Sequence, residues 1–161
     1  MEYFQELRDK ARQKIRTADH MLTVTYPLVK DPKLLLAVLE NVSEGLELGI
    51  TSVLEHERLF KRVPPFGNNF TIKFGLFKQK IMHKHNLDPQ NLRTIIEVRE
   101  IIHNHKRSMV EFIRKDKFVM SDDNYNLKTL DNAKIKNLLL RSKVFIDQLY
   151  NITTKNDAMF G

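Results

Sequence analysis

The sequence predicts an all-α protein, an up-and-down bundle of about five helices. Three observations carry that expectation. Apolar residues recur at steps of three and four along most of the chain, Asp-Pro pairs stand where two helices would begin, and no alternating period-two run of useful length competes. The 161 residues fit a single helical-bundle domain spanning 1–161, and a domain of that size buries roughly 70% of the surface its unfolded chain exposes. With 42% hydrophobic and 29% charged residues, the composition is that of an ordinary globular chain.

The first helix is expected from Phe4, Leu7, Ala11, Ile15, Ala18, Leu22 and Tyr26, an apolar stripe with Arg8, Arg12 and Arg16 outside it, and Pro27 should end or kink it. Asp31-Pro32 then opens a second helix, because the aspartate can accept from a free N–H and proline loses nothing at the first helical position. That helix should run from about Pro32 to Lys61 on the stripe Leu35, Val38, Leu39, Val42, Leu46, Ile50, Val53 and Leu54. Gly45 and Gly49 lie four apart on it, a spacing that either lets another helix approach closely or is two tolerated small residues, the reading preferred here.

VPPFGNN, residues 63 to 69, breaks the chain, and Phe66, Phe70, Phe74, Phe77 and Ile81 follow at helical spacing. Those aromatics are expected in the core; stacking bases is the alternative. Asp88-Pro89 starts the fourth helix, expected to reach about Lys117. Residues 121–129 read as a polar loop, Asp131 as the cap of a last helix on Ile135, Leu138, Leu139, Ser142, Phe145, Ile146, Leu149 and Ile152, and NDAMFG as a frayed end.

Composition also limits the chemistry. The absence of cysteine excludes disulfides, thiolate metal sites and cysteine nucleophiles. A formal charge of +7 and a pI of about 9.6 make association with polyanions more plausible than for a neutral protein. MEYFQELRDKARQK lacks the apolar core of a secretory signal, and no run approaches the roughly 18 apolar residues of a membrane span. A soluble, cytoplasmic protein with no membrane partner is therefore expected.

Six histidines leave histidine and carboxylate metal sites as the one metal class. His83/His85 and His103/His105 are spaced by two, which on a helix turns the rings about 200° apart, so neither pair can chelate one ion. His56 has glutamates on both sides, and these too should point away from it. Glu40 and Glu44 share a helix face and read as a solvated flank. No phosphate-binding glycine loop or nucleophile elbow is present. No metal and no cofactor is implied.

REIIHNHKRS, residues 99 to 108, is the stretch richest in chemistry. Its HNH letters do not make a metal nuclease, since that site is built on a ββα unit and the sequence predicts no strands. On a helical wheel Ile95, Val98, Ile101, Ile102, Met109, Phe112 and Ile113 fill one apolar arc. His105 falls inside that arc and Arg99 at its edge between Leu92 and Val110, whereas Glu97, Glu100, Asn104 and Glu111 take the opposite face. A guanidinium turned inward needs an acid or a wet groove. The structural reading pairs Arg99 with a glutamate of the second helix and makes His105 a satisfied core histidine.

A helical bundle of this size with Arg99 and His105 separated by five residues resembles the HEPN superfamily of nucleotide-binding domains. The resemblance implies a metal-independent endoribonuclease site of Arg99 and His105, commonly assembled across a homodimer. Many members act as toxins beside a nucleotidyltransferase-like antitoxin, and others are inactive binding modules. His105 would handle the proton of the 2′-hydroxyl or leaving group, since imidazole titrates near neutral pH. Arg99 would hold the scissile phosphate. RNA, a second copy of the chain, and an antitoxin or other protein are the partners implied. The competing expectation is a non-catalytic bundle that dimerises or docks a protein through an apolar face.

Overall fold

A computed structural model describes residues 1–108, 111–115, 117–121, 124 and 126–155. The first apolar stripe forms α1 (Tyr3–His20), with Phe4, Leu7, Ala11, Ile15 and Ala18 buried. Pro27 neither ends it nor breaks it sharply. Proline has no N–H to donate and its ring crowds the carbonyl four residues back, and the turn before it widens instead: Met21–Thr25 is π-helical, with the Tyr26 N–H reaching Met21 O. A short turn, α2 (Tyr26–Val29), closes at Lys30, whose φ of 54° is left-handed.

Asp31 accepts from the Lys33 N–H at 3.0 Å, and α3 (Leu34–Leu59) begins just beyond. It is the central helix, packed against α1 and three helices that follow. Gly45 and Gly49 are more than tolerated. A Cβ at 45 would stand 3.2 Å from the Ala11 carbonyl oxygen, and one at 49 would stand 2.7 Å from Ile146 Cδ1. At Gly45 the neighbour is backbone that cannot turn aside, so the close approach of α1 depends on the missing side chain, whereas at Gly49 the end of the Ile146 side chain would have to shift.

Asn69 caps α4 (Phe70–Lys80) by accepting from the Ile72 N–H at 3.1 Å. Of the aromatic stripe, Phe77 and Ile81 are fully buried, while Phe66, Phe70 and Phe74 are half-buried at the core's edge. Asp88 accepts from the Gln90 N–H at 2.9 Å, opening α5 (Gln90–Arg107).

Here the structure departs from the all-α expectation. The helix expected to reach Lys117 stops at Arg107, and Ser108 is extended, with φ −64° and ψ 127°. The chain then builds an antiparallel sheet from β1 (Glu111–Arg114), β2 (Lys117–Ser121) and β3 (Leu127–Leu130), in the order β1-β2-β3. Ser121 and Leu127–Thr129, expected in a loop, are strand residues. Phe112, Ile113, Phe118, Val119 and Thr129 are of the aromatic and β-branched types that suit strands. The register Ile113↔Phe118↔Leu130 places Phe118, Met120 and Leu130 on one face, where all three are buried in the main core. Met109 and Val110 of the expected helical arc, Asp122, Asp123 and Tyr125 of the expected loop, and the expected frayed end lie outside the described residues.

Asp131 caps α6 (Asn132–Thr154) by accepting from the Lys134 N–H at 2.8 Å, and the predicted stripe from Ile135 to Ile152 is buried. The fold is thus mainly helical, a bundle with a small sheet inserted between α5 and α6. Among the described residues no helix is long and apolar enough to cross a membrane.

Candidate functional site

His105 lies on the last turn of α5, and Glu111, the first residue of β1, stands against it. Their Nδ1 and Oε2 atoms are 2.6 Å apart, with both side chains 30% exposed. An ionised carboxylate can only accept, so this bond fixes the proton on Nδ1 and leaves Nε2 as the basic nitrogen. The ring also meets Phe118 edge-on, with centroids 6.1 Å apart. Histidine, held in one tautomer by an acid and in one orientation by an aromatic ring, has the arrangement a proton-transfer group requires.

The pair borders a cleft of about 680 Å³, whose other walls include Lys33, Leu36 and Glu40 from the start of α3, and Phe112 and Ile113 from β1. Glu40, expected on a solvated flank, is exposed at this cleft; Glu44, its expected companion, instead pairs with Lys14 at 2.8 Å. His105 is therefore neither dry nor a satisfied core residue.

Arg99 is elsewhere. It borders a separate cleft of about 340 Å³ with Phe70, Phe74, Ile96 and His103. Its guanidinium carbon sits 3.5 Å from the centroid of Phe70, which is stacked on Phe74 at 5.6 Å. The partner of this arginine is thus an aromatic face in a wet groove, not a glutamate of α3. Six positions separate Arg99 from His105, which places them about 9 Å apart along the axis and about 120° apart around it. One copy of the chain does not bring the two into one cleft. Both histidines of HNH stand on α5, ahead of the strands, so the sheet does not turn these letters into a ββα nuclease unit.

A second polar cluster was not foreseen. His56 and Glu57, neighbours near the end of α3, are both 2% exposed. The Glu57 carboxylate takes Lys84 Nζ at 3.0 Å on one oxygen and Arg62 at 3.5 Å on the other, and His56 Nδ1 stands 4.0 Å from it. The glutamate after His56 therefore stays close to it. The His56 ring packs edge-on against Phe4 and Phe60. Burial pushes the His56 imidazole below its ordinary value near 6.5; Glu57 opposes that, and Arg62, Arg8 and Lys84 reinforce it. His85 is lowered likewise, first by burial and then by Lys84, Lys155 and Arg62 against Glu57. With both carboxylate oxygens engaged by cations, this cluster ties the end of α3 to the segments carrying Arg62 and Lys84.

Among the described residues, no three His, Asp or Glu side chains are grouped so as to hold a metal ion. No protein-family profile, curated protein or solved structure matches the chain.

Proposed function

We propose that the protein binds RNA and cleaves it without a metal ion, as a HEPN-like ribonuclease of toxin type, with His105 as the proton-transfer residue. The supporting observation is the 2.6 Å His105–Glu111 bond at the edge of a cleft of about 680 Å³. In the reaction, His105 Nε2 takes the proton of a 2′-hydroxyl as that oxygen attacks the adjacent phosphorus. The bond to the 5′-oxygen breaks, that oxygen takes a proton from water, a 2′,3′-cyclic phosphate and a 5′-hydroxyl result, and His105 returns its proton to solvent. Glu111 stabilises the imidazolium formed on the way.

Arg99 enters this reading through a homodimer, in which the arginine of one copy meets the phosphate held at the other copy's His105 cleft. The resemblance supports that arrangement, as does the separation of the two residues within one chain. Mixing Arg99→Ala with His105→Ala protein should then restore part of the activity that each variant lacks alone.

A second reading, a non-catalytic module that docks an antitoxin or other protein, is favoured by β1. All four of its residues are exposed, Ile113 at 46%, and its outer edge has no strand beside it among the described residues. One experiment separates the two. In excess EDTA the wild-type protein should cleave RNA to cyclic-phosphate ends, and His105→Ala should be slower by roughly 10²- to 10⁴-fold. Equal rates in both would remove the catalytic reading and leave the docking module.

A further inference from the structure

The His105 cleft is poorly furnished to hold a phosphodiester by itself. It offers one cation, Lys33, against two carboxylates, Glu40 and Glu111. Across the β1 strand the balance reverses. Phe112 is shared with a neighbouring cleft of about 430 Å³, where it stands with Arg114, Lys115, Lys117, Thr129 and Asp131. The carboxylate of Asp131 is committed to the first turn of α6 by its bond to the Lys134 N–H. Asp116 lies outside the described residues.

The register makes this surface unusual. Phe112, Val119 and Thr129 are successive cross-strand neighbours on the face turned away from the main core, Phe112 and Thr129 exposed on either side of a buried Val119, and Arg114 stands directly opposite Lys117 at the end of the hairpin. Like charges set opposite each other disfavour the pairing of their strands. Lys115, in the turn between them, has a left-handed φ of 57°, where a side chain is disfavoured and glycine or asparagine is usual. Phe112 is 40% exposed beside these cations. Neither the opposed cations nor the uncovered ring helps the sheet fold. A polyanion with flat aromatic groups would satisfy both, since phosphates neutralise the cations and a base covers the ring.

We infer that the outer face of the sheet, through Phe112, Arg114 and Lys117, is a docking track for single-stranded RNA that leads into the His105 cleft. It rests on the reading of RNA as the ligand and adds where the strand is held. A base stacks on Phe112 at the ridge between the two clefts, and the phosphates on one side of it lie along Arg114, Lys115 and Lys117. The next phosphodiester passes the edge strand toward His105. Duplex RNA does not fit this role, because its bases are already stacked and present no free face to Phe112.

The probe is a fluorescent oligouridine of about twelve nucleotides carrying 2′-O-methyl groups, which binds but cannot be cleaved by 2′-hydroxyl attack. Its anisotropy is followed with the full chain over a range of salt. In Arg114→Ala/Lys117→Ala, Kd should rise about tenfold and the slope of log K against log salt should fall by about 1.4, at about 0.7 per lost single-strand phosphate contact. Phe112→Ala should raise Kd by roughly 5- to 100-fold with the slope unchanged. Lys10→Ala/Arg16→Ala, which removes two exposed cations of α1, should bind as wild type. All of these side chains are exposed, and an unchanged Tm shows that each variant is folded.

Wild-type binding by the sheet variants, or an equal loss in the α1 variant, overturns the inference. Equal competition by polyglutamate also overturns it, in favour of an acidic protein partner. Failure here is separable from failure of the catalytic reading. Loss of binding in the sheet variants while His105→Ala still cleaves supports the track and removes the dyad, and the reverse pattern removes the track alone.

Discussion

α3 and the β1 strand show opposite uses of apolar residues. Along α3, buried residues occupy most of the circumference, including Ser52, His56 and Glu57 beside the aliphatic stripe. β1 buries none of its four residues although two of them are Phe112 and Ile113. The first element is there to be covered, and its glycines at 45 and 49 bring its neighbours closer still. The second keeps Phe112 and Ile113 exposed on an edge that no strand among the described residues pairs with, a condition that invites unwanted pairing and that folding alone gives no reason to keep. The difference separates a covered scaffold from an uncovered surface, and the His105–Glu111 pair, with both side chains 30% exposed, sits on the surface side of it.

The largest test of that division is a matched truncation. Ile50→Ala, at a fully buried position of α3, should cost about 2–5 kcal/mol through lost burial and a cavity. Ile113→Ala removes an equal side chain from β1 and should change stability by less than about 0.5 kcal/mol. Urea unfolding of both variants measures the contrast directly. Similar losses at the two sites would mean that β1 is part of the structural core.

A smaller effect concerns the buried cluster at the end of α3. His56 and His85 titrate below their ordinary value in the folded protein. The unfolded chain therefore binds protons that the folded chain does not. Their contribution to stability is fully present above about pH 6.5 and is lost as the pH falls from there through the folded values. The urea midpoint should thus drop between about pH 7.5 and 5.5, and His56→Phe, which keeps the ring contacts with Phe4 and Phe60, should flatten part of that drop. A midpoint that rises on acidification would contradict the assignment.

How far the sequence could be read follows from how local each cause is. Asp88 and Asp131 announced helices because capping is a bond between near neighbours, and the stripes of α1, α3 and α6 needed no partner to be recognised. Phe112 and Ile113 fit a helical arc as well as a strand, and only pairing with Phe118 and Val119, across a turn, decides between them. The extended helix then placed Glu111 on a solvated face, which hid the acid that holds His105. A cluster of aromatic and β-branched residues around the polar run Arg114–Lys117 was the available signal for a hairpin. Arg99 likewise found Phe70, a residue of another helix that no spacing along α5 could reveal. That α5 carries His105 on its apolar side was legible; its exposure at a cleft and its partner Glu111 were not.

The most direct measurement is an amide NMR titration of the 19.0 kDa protein with the uncleavable oligouridine. Shifts should concentrate at His105, along Glu111–Leu130 and at Lys33–Glu40, and the interiors of α1 and α6 should stay unmoved. Shifts centred instead on Arg12, Arg16 and Lys143, which line a separate cleft between α1 and α6, or no shifts at all, would contradict the account.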